Sequence, residues 1–266
     1  MFARILTAII LILALLGVLF LLPSAVSLAA FGVFLLGGAW EWGGFMGNLA
    51  RPKRIGYVIV AAVVLTAGHY LVANAIDVRY VLLVAVALWL LTLLPLMRFP
   101  FGIPATIVGS AGLAAHLFAW LALTHILVDR PQGTYWLLLL FLLVWAADIG
   151  AFFVGSTLGR HKLAPAVSPK KTWEGVAGGL IAAALMAAAG AVILDVRLTL
   201  FVPFALLVAA LSIIGDLTVS LFKRNAGLKD SGSVFPGHGG ILDRVDSLIA
   251  AAPLFALGLD WFGAGT

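Results

Sequence analysis

Long apolar segments follow one another along almost the whole chain, separated by short polar stretches. Each has about 17 to 22 residues, the length that a helix needs to cross the hydrocarbon core of a membrane. Lipid offers no hydrogen-bonding partners to an open backbone, so these segments are predicted to be helices rather than strands. They lie at residues 4–22, 24–40, 56–76, 80–97, 103–125, 134–154, 175–194, 199–216 and 247–263. The pattern predicts an all-α, polytopic integral membrane protein with about nine transmembrane helices.

The apolar run at residues 5–22 is interpreted as the first of this series rather than as a cleaved secretory signal. It is long enough to span a membrane, and further apolar segments follow it. No internal repeat or low-complexity linker divides the chain. Residues 1–140 are therefore predicted to form a transmembrane scaffold with lipid access. Residues 141–266 are predicted to add the C-terminal helices and the polar loops that carry the chemistry, within one membrane unit.

Composition and charge sharpen this picture. The chain is 64% hydrophobic and only 10% charged, which excludes a water-soluble domain because large apolar patches would be exposed. Cysteine is absent, so disulfides, thiolate metal sites and cysteine nucleophiles are excluded. All Lys and Arg residues except Arg79, Arg130 and Arg197 fall on one side if the N-terminus is cytoplasmic, as the positive-inside rule requires. With no organelle signal, this predicts a cytoplasmic N-terminus in a bacterial inner (plasma) membrane.

The two longest polar stretches on the cytoplasmic side lie at residues 155–174 and 217–246. The second continues the eighth predicted helix, on which Asp216, Ser220 and either Lys223 or Arg224 would share one face. A carboxylate, a hydroxyl and a cation would then meet at the membrane surface. The alternative is that the two cations only anchor the helix end at the lipid headgroups.

A glycine-rich turn follows at residues 236–240, around His238. Its glycines permit positive φ angles and a close approach of backbone amides to a ligand, and a helix beginning near Gly240 would favour an anion there. The turn therefore suits phosphate, although a plain turn between two helices with an interfacial histidine remains the alternative.

Asp243 and Asp246 are three residues apart, so on a helix they would share a face and could reach one Mg²⁺ ion. The alternative role of these acids is to complement a helix dipole. The neighbouring Arg244 and Lys229 favour the metal, because a simple helix cap does not require such a mixed-charge cluster.

The other polar stretch offers a second set of candidates. Asp148 lies within an apolar run, where a carboxylate should face a polar cavity, a metal or a partner charge, unless it reaches the interface. Downstream, Lys170 and Lys171 with the flanking Ser168 and Thr172 suit a triphosphate or a lipid phosphate. Bulk anionic headgroups would explain the two lysines equally simply.

These segments resemble the CDP-diacylglycerol synthases, also called phosphatidate cytidylyltransferases. The likeness rests on Ser220-x-Phe222-Lys223-Arg224, on Lys229-Asp230-x-Gly232, on Phe235-Pro236-x-His238-Gly239-Gly240-Ile241-x-Asp243-Arg244-Val245-Asp246, and upstream on Asp148-x-x-Ala151-Phe152-x-x-Gly155 and Ser168-Pro169-Lys170-Lys171-Thr172-x-Glu174-Gly175. The specific likeness covers residues 145–250. Within the first 140 residues, the motif that resembles the family is Trp40-Glu41-Trp42, and this likeness is weaker.

The resemblance implies the transfer of CMP from CTP to phosphatidic acid within a lipid membrane, giving CDP-diacylglycerol and pyrophosphate. It implies Mg²⁺ as cofactor, leaves a second cation open, and implies no nucleic-acid partner. A homodimer is compatible with it, but the sequence leaves the oligomeric state undetermined. The expected metal ligands are Asp216, Asp243 and Asp246, with Asp148 as a fourth acid, and the expected phosphate-neutralising cations are Lys223, Arg224, Lys229 and Arg244. The expected substrate contacts are Ser168, Lys170, Lys171, Thr172, Ser220, Gly239 and Gly240, with His238 contacting phosphate or stabilising the leaving group.

Two other classes of protein compete with this interpretation. A secondary transporter or channel would also offer many helices and an intramembrane acid, but the paired repeats with interrupted helices that are frequent in transporters are missing here. A related enzyme that uses CTP on another lipid phosphate, or a lipid kinase, would share many of the same features. The concentration of polar residues in cytoplasmic loops favours an enzyme at the membrane surface.

Overall fold

The computed structural model describes residues 2–47, 49–234 and 239–262, apart from the side chains of residues 2–6 and 8. Its helices are α1 (Phe2–Phe20), α2 (Ser24–Trp42), α3 (Arg51–Asn74), α4 (Val78–Leu91), α5 (Leu93–Arg98), α6 (Ala105–Val128), α7 (Gly133–Leu158), α8 (Trp173–Ile193), α9 (Leu198–Asn225) and α10 (Asp246–Phe262). Short 3-10 helices lie at Gly43–Met46 and Leu242–Arg244. Strands β1 (Lys162–Ala164) and β2 (Ser168–Thr172) form an antiparallel hairpin.

The helices agree with a polytopic membrane protein. Among the described residues, seven segments are long and apolar enough to cross a membrane: Ser24–Met46, Arg51–Asn74, Val78–Arg98, Ala105–Val128, Gly133–Leu158, Trp173–Ile193 and Leu198–Asn225. The apolar section of α1, Ile9–Phe20, and the whole of α10 are shorter. Large apolar side chains such as Val63, Leu185 and Val192 are exposed on the outer helix faces, as expected for a surface in contact with lipid. The count of nine spans stays a prediction.

Close packing of α7 on α8 brings the Asp148 helix against the segment that follows the hairpin. A Cβ atom added at Gly150 would lie 2.6 Å from the Gly178 carbonyl oxygen, so the two backbones are nearly in contact. Small residues at such positions allow transmembrane helices to approach one another. Helix α7 thereby presents its C-terminal half beside the start of α8.

Helix α9 and the start of α10 are equally close. A Cβ atom at Gly215 would lie 2.8 Å from the carbonyl oxygen of Asp246. The helical continuation predicted beyond residue 216 is confirmed, because α9 extends to Asn225. Asp216 on α9 and Asp246 at the start of α10 are thus placed at the same end of the helix bundle.

The hairpin was not expected, since residues 155–174 were predicted only as a polar loop. In this hairpin β1 pairs with β2, with Lys162 opposite Thr172 and Ala164 opposite Ser168. Thr172 then caps α8, its hydroxyl accepting a hydrogen bond of 3.1 Å from the Gly175 amide. The hairpin is therefore fixed directly to the first turn of a membrane helix.

Candidate active site

The C-terminal end of α9 supplies the first group of the site. The Ser220 hydroxyl donates to Asp216 Oδ1 at 3.2 Å, which confirms that these two residues share a helix face. Arg224 is directed elsewhere: its guanidinium donates to the carbonyls of Val167 at 3.2 Å and Leu228 at 3.0 Å. Arg224 consequently ties the turn of the hairpin to the loop that follows α9.

Lys223 lies between the two acids of the glycine-rich segment. Its ammonium is 2.8 Å from Asp243 Oδ1 and 4.0 Å from Asp246 Oδ2, and the side chain is buried. The prediction that the two acids share one helix face is wrong, because Asp243 belongs to the 3-10 helix that ends at Arg244. Helix α10 begins only at Asp246. Within this arrangement the cation between the two carboxylates is a lysine.

Asp243 is engaged on both of its oxygens. Oδ1 accepts from Lys223, and Oδ2 accepts 3.0 Å hydrogen bonds from the amides of Ser231 and Gly240. Burial alone would raise the pKa of the Asp243 carboxyl, but its hydrogen bonds, first among them that from Lys223, outweigh burial and hold the pKa below its ordinary value. Asp243 is therefore ionised and positions the loop around it.

The hairpin contributes a second lysine. Lys171 on β2 is half-buried and its ammonium lies 2.5 Å from Asp216 Oδ2, whereas the preceding Lys170 is exposed. The Thr172 hydroxyl is buried and committed to the helix cap, while Ser168 pairs with Ala164 at the start of the strand. Of the four hairpin candidates, Lys171 is the one that joins the acidic residues.

Three carboxylates lie within electrostatic range of one another in this region. Asp148 and Asp246 both lie within electrostatic range of Asp216, and Lys171 and Lys223 stand close enough to offset their charge. Arg244, which is exposed, also lies within range of Asp148. Like charges in a partly buried site require such compensation. The site therefore combines several acids with several cations at one end of the bundle.

A cavity of about 550 Å³ opens beside these charges. Its walls come from α1, α2, α6, α7 and α10 and are mostly apolar, with Phe31 and Phe34 among them. The polar part of its lining consists of Asp148, Asp243, Arg244 and Asp246. A mainly hydrophobic chamber therefore ends at the charged cluster.

The glycine-rich turn is only partly in view. His238, with residues 235–237, lies outside the described residues. Gly239 has the positive φ angle, +80°, that the sequence suggested. The hypothesis that a helix start near Gly240 offers its amides to phosphate is wrong for Gly240, Ile241 and Leu242, since all three amides donate to protein carboxylates. Lys229, one of the predicted cations, is exposed on the same loop.

Across residues 2–47, 49–234 and 239–262, no three His, Asp or Glu side chains come close enough together to hold a metal ion by themselves. Asp243 is already occupied by a lysine and two amides. In phosphate sites Mg²⁺ usually takes one or two carboxylates and fills its shell with phosphate oxygens and water. Asp216, which also contacts Lys171 and Ser220, and Asp246 could therefore hold a cation only together with substrate oxygens, with Asp148 nearby.

One important residue was missed as a site candidate. Glu41, near the end of α2, is 3% exposed and accepts hydrogen bonds from Ser231, Ile241 and Leu242. Its partners are about 200 positions away, so no local spacing could reveal them. The available signal was an acid placed between two tryptophans in an otherwise apolar run.

Comparisons with known proteins show the family to which the chain belongs. The sequence model of the cytidylyltransferase family matches residues 2–262. A phosphatidate cytidylyltransferase of Haemophilus influenzae is 39% identical over 280 residues, covering 95% of this chain and 96% of the relative. One from Pseudomonas aeruginosa is 41% identical over 261 residues, covering 95% and 94%. The resemblance indicated by the signature is confirmed over nearly the whole chain, and the chain belongs to the cytidylyltransferase family.

Proposed function

We propose that this protein is a phosphatidate cytidylyltransferase, which transfers CMP from CTP to phosphatidate and forms CDP-diacylglycerol and pyrophosphate. The names of the relatives from Haemophilus influenzae and Pseudomonas aeruginosa support this reaction, because each relative aligns with 95% of the chain. The family match supports cytidylyl transfer independently of those two relatives. The reaction belongs to the synthesis of phospholipids.

The observation that carries the proposal is the junction between the apolar cavity and the charged cluster. A diacylglycerol chain needs a hydrophobic chamber that is open to the membrane, whereas CTP needs cations in contact with water. Phe31 and Phe34 belong to the apolar walls, and Asp148, Arg244 and Asp246 lie at the polar end. One cavity therefore suits the lipid tails and would bring the lipid phosphate to the charges.

The reaction joins two anions. A phosphate oxygen of phosphatidate attacks the α-phosphorus of CTP, a new P–O–P linkage forms, and the bond from the α-phosphorus to the bridging oxygen of the β-phosphate breaks. Pyrophosphate carries away the bonding electrons. Phosphatidate is already anionic at neutral pH, so a strong general base is not required, and catalysis consists mainly of positioning and charge neutralisation.

The chain's cations have distinct places in this scheme. Lys171 and Lys223, each next to a carboxylate, would neutralise the reacting phosphates as they enter. Lys170 and Lys229 are exposed and could contact the triphosphate from the two loops. His238 is proposed to contact phosphate or to stabilise the leaving pyrophosphate.

Mg²⁺ is proposed as the cofactor. Asp216 and Asp246 would hold the ion together with phosphate oxygens, with Asp148 as a further acid, and Asp243 would keep Lys223 and the loop in place. When bound, Mg²⁺ would supply neutralisation of phosphate charge. The orientation proposed from the distribution of Lys and Arg puts this site on the cytoplasmic side of the inner membrane.

Pyrophosphate release tests the proposal. Detergent-purified protein would be given phosphatidate and Mg²⁺ with either CTP or ATP, and the CTP reaction would be repeated with EDTA. Release that requires CTP, lipid and metal together is expected. Release with ATP alone, or no release from folded protein in a lipid environment, would contradict the proposal and favour a lipid kinase or a transporter.

A further inference from the structure

Glu41 is a buried acid in the N-terminal half of the chain, and it forms hydrogen bonds with residues before and after the glycine-rich turn. Glu41 Oε1 accepts a 2.9 Å hydrogen bond from the Ile241 amide. Glu41 Oε2 accepts 2.8 Å bonds from the Leu242 amide and from the Ser231 hydroxyl. The carboxylate thus bonds to both arms of the segment, one at residue 231 and the other at residues 241–242.

The segment is built to let this carboxylate approach. A Cβ atom at Gly232 would overlap Glu41 Oε1, and a Cβ atom at Gly240 would overlap Oε2. Glycine is therefore needed on both sides of the Glu41 side chain for a steric reason. This accounts for two glycines of the signature without any contact to a substrate.

The same two arms also bond to Asp243. The Ser231 hydroxyl donates a hydrogen bond to Glu41, and the Ser231 amide donates one to Asp243. On the other side, the Gly240 amide donates to Asp243 and the Ile241 amide donates to Glu41. Asp243 in turn bonds to Lys223, which faces Asp246. A continuous series of hydrogen bonds therefore leads from Glu41 to the charged cluster.

Helix α2 connects this contact with the cavity. About two to three turns before Glu41, the residues Phe31, Phe34 and Leu35 line the apolar wall. The loop is thereby fixed to the same helix that borders the space assigned to the lipid. The Glu41 hydrogen bonds therefore link the helix of the cavity wall to the residues that precede Asp243.

We infer that Glu41 is a positioning residue for the reaction: it holds Ser231 and residues 240–242 in place, so that Asp243 and Lys223 keep the charged cluster in its reactive arrangement. The inference rests on the proposed function for its kinetic consequences. The hydrogen bonds themselves make a second, independent prediction about the exposure of the loop.

The test replaces the carboxylate by an amide of the same size. In Glu41→Gln, one of the two acceptor atoms becomes an NH2 donor that faces a protein donor, so the loop must shift. The expected result is a fall in kcat of about 10- to 100-fold, with KM for CTP and phosphatidate changed by less than about threefold. Ser231→Ala removes a single hydrogen bond and should give a smaller fall.

A matched control and a physical readout separate positioning from general destabilisation. Asp260→Asn makes the same acid-to-amide change at the opposite end of α10, near Arg130, and should leave kcat unchanged. Trypsin cleavage after the exposed Lys229 should accelerate in Glu41→Gln and in Ser231→Ala, but not in Asp260→Asn.

Three outcomes would decide the matter. Wild-type kcat and cleavage rate in Glu41→Gln would overturn the inference, and so would an equal loss of kcat in Glu41→Gln and Asp260→Asn. If the wild-type protein releases no pyrophosphate, the proposed function fails, while the trypsin rates still decide whether Glu41 holds the loop. Should Glu41→Gln not fold, Ser231→Ala carries both measurements.

Discussion

Helix α10 has an acid in a charged cluster at each end, and the two clusters differ in what surrounds them. Asp246 begins the helix beside Lys223, and Asp260 lies 14 positions later, about 21 Å along the helix axis. Asp260 pairs with Arg130 and lies 3.3 Å from Arg79. By residue type the two ends are nearly equivalent.

The far cluster connects helices to one another. His125 on α6 lies 2.8 Å from Asp129 and 2.7 Å from Arg130, so the end of α6 is joined through Arg130 to α10. Asp260 is not part of the lining of the large cavity, whereas Asp246 is. The near cluster also gathers acids that repel one another, an arrangement that a purely structural ion pair does not need.

The comparison teaches that buried ion pairs alone do not identify a catalytic site. Their net effect on stability is small or unfavourable unless every charge is well partnered. An adjoining cavity that combines an apolar wall with a polar end distinguishes the Asp246 cluster, which we propose as catalytic, from the Asp260 cluster. Substitutions in the Asp246 cluster should therefore lower activity more than stability, and substitutions in the Asp260 cluster should lower stability more than activity.

The largest effect on activity is expected for Asp246→Asn. The amide oxygen can still accept the 2.9 Å hydrogen bond from the Ser247 amide, so the start of α10 should persist, but the negative charge is lost. We expect kcat to fall by about 10³-fold while the protein stays folded in the membrane. Pyrophosphate release and thermal unfolding in detergent measure the two properties. Full activity would refute the assignment of Asp246.

A smaller loss is expected for Lys171→Met. The change removes the cation from Asp216 but keeps much of the aliphatic length, so kcat/KM for CTP should fall by about 10- to 100-fold. Lys162→Met, on the other strand of the same hairpin, is the control and should retain nearly wild-type kinetics. Equal losses in the two variants would mean that the hairpin acts only through its overall charge.

Asp260→Asn should change stability instead of activity. It leaves Arg130 without its charged partner in a largely buried position, at a cost of about 1–3 kcal/mol in the free energy of unfolding. Thermal unfolding and initial rates of the same preparation provide the measurement. A large fall in kcat at unchanged stability would show that the far end of α10 takes part in catalysis after all.

Arg79→Ala should have the smallest effect. The Arg79 side chain is 63% exposed and its contacts to Asp77 and Asp260 are longer than 3 Å, so its loss should cost less than about 1 kcal/mol. Turnover should not change. An unfolding shift as large as that of Asp260→Asn would mean that Arg79 is an essential member of the far cluster.

The all-α, polytopic architecture could be predicted from the sequence because the lipid bilayer imposes a length and a hydrophobicity on each helix, whereas the count of nine spans and the orientation stay predictions. The continuation of α9 beyond residue 216 followed from local spacing, as did the Asp216–Ser220 contact. Local periodicity is a property of neighbouring residues, so it can be read along the chain.

Other parts of the site depend on contacts between distant segments. The 3-10 break between Asp243 and Asp246, the position of Lys223 between them and the capping role of Thr172 all arise from tertiary packing. Glu41 is the clearest case, because its partners lie in the last quarter of the chain. Nothing in the spacing of α2 could assign its carboxylate to that loop.

The most direct test of cytidylyl transfer follows the phosphorus atoms of CTP. Protein reconstituted in phosphatidate-containing vesicles would receive CTP labelled with ³²P at either the α or the γ position, and the lipids would then be extracted. The α label is expected to enter the lipid and the γ label to leave in pyrophosphate, and Asp246→Asn should slow both by about 10³-fold. A γ label recovered in the lipid would identify a kinase and contradict cytidylyl transfer at this site.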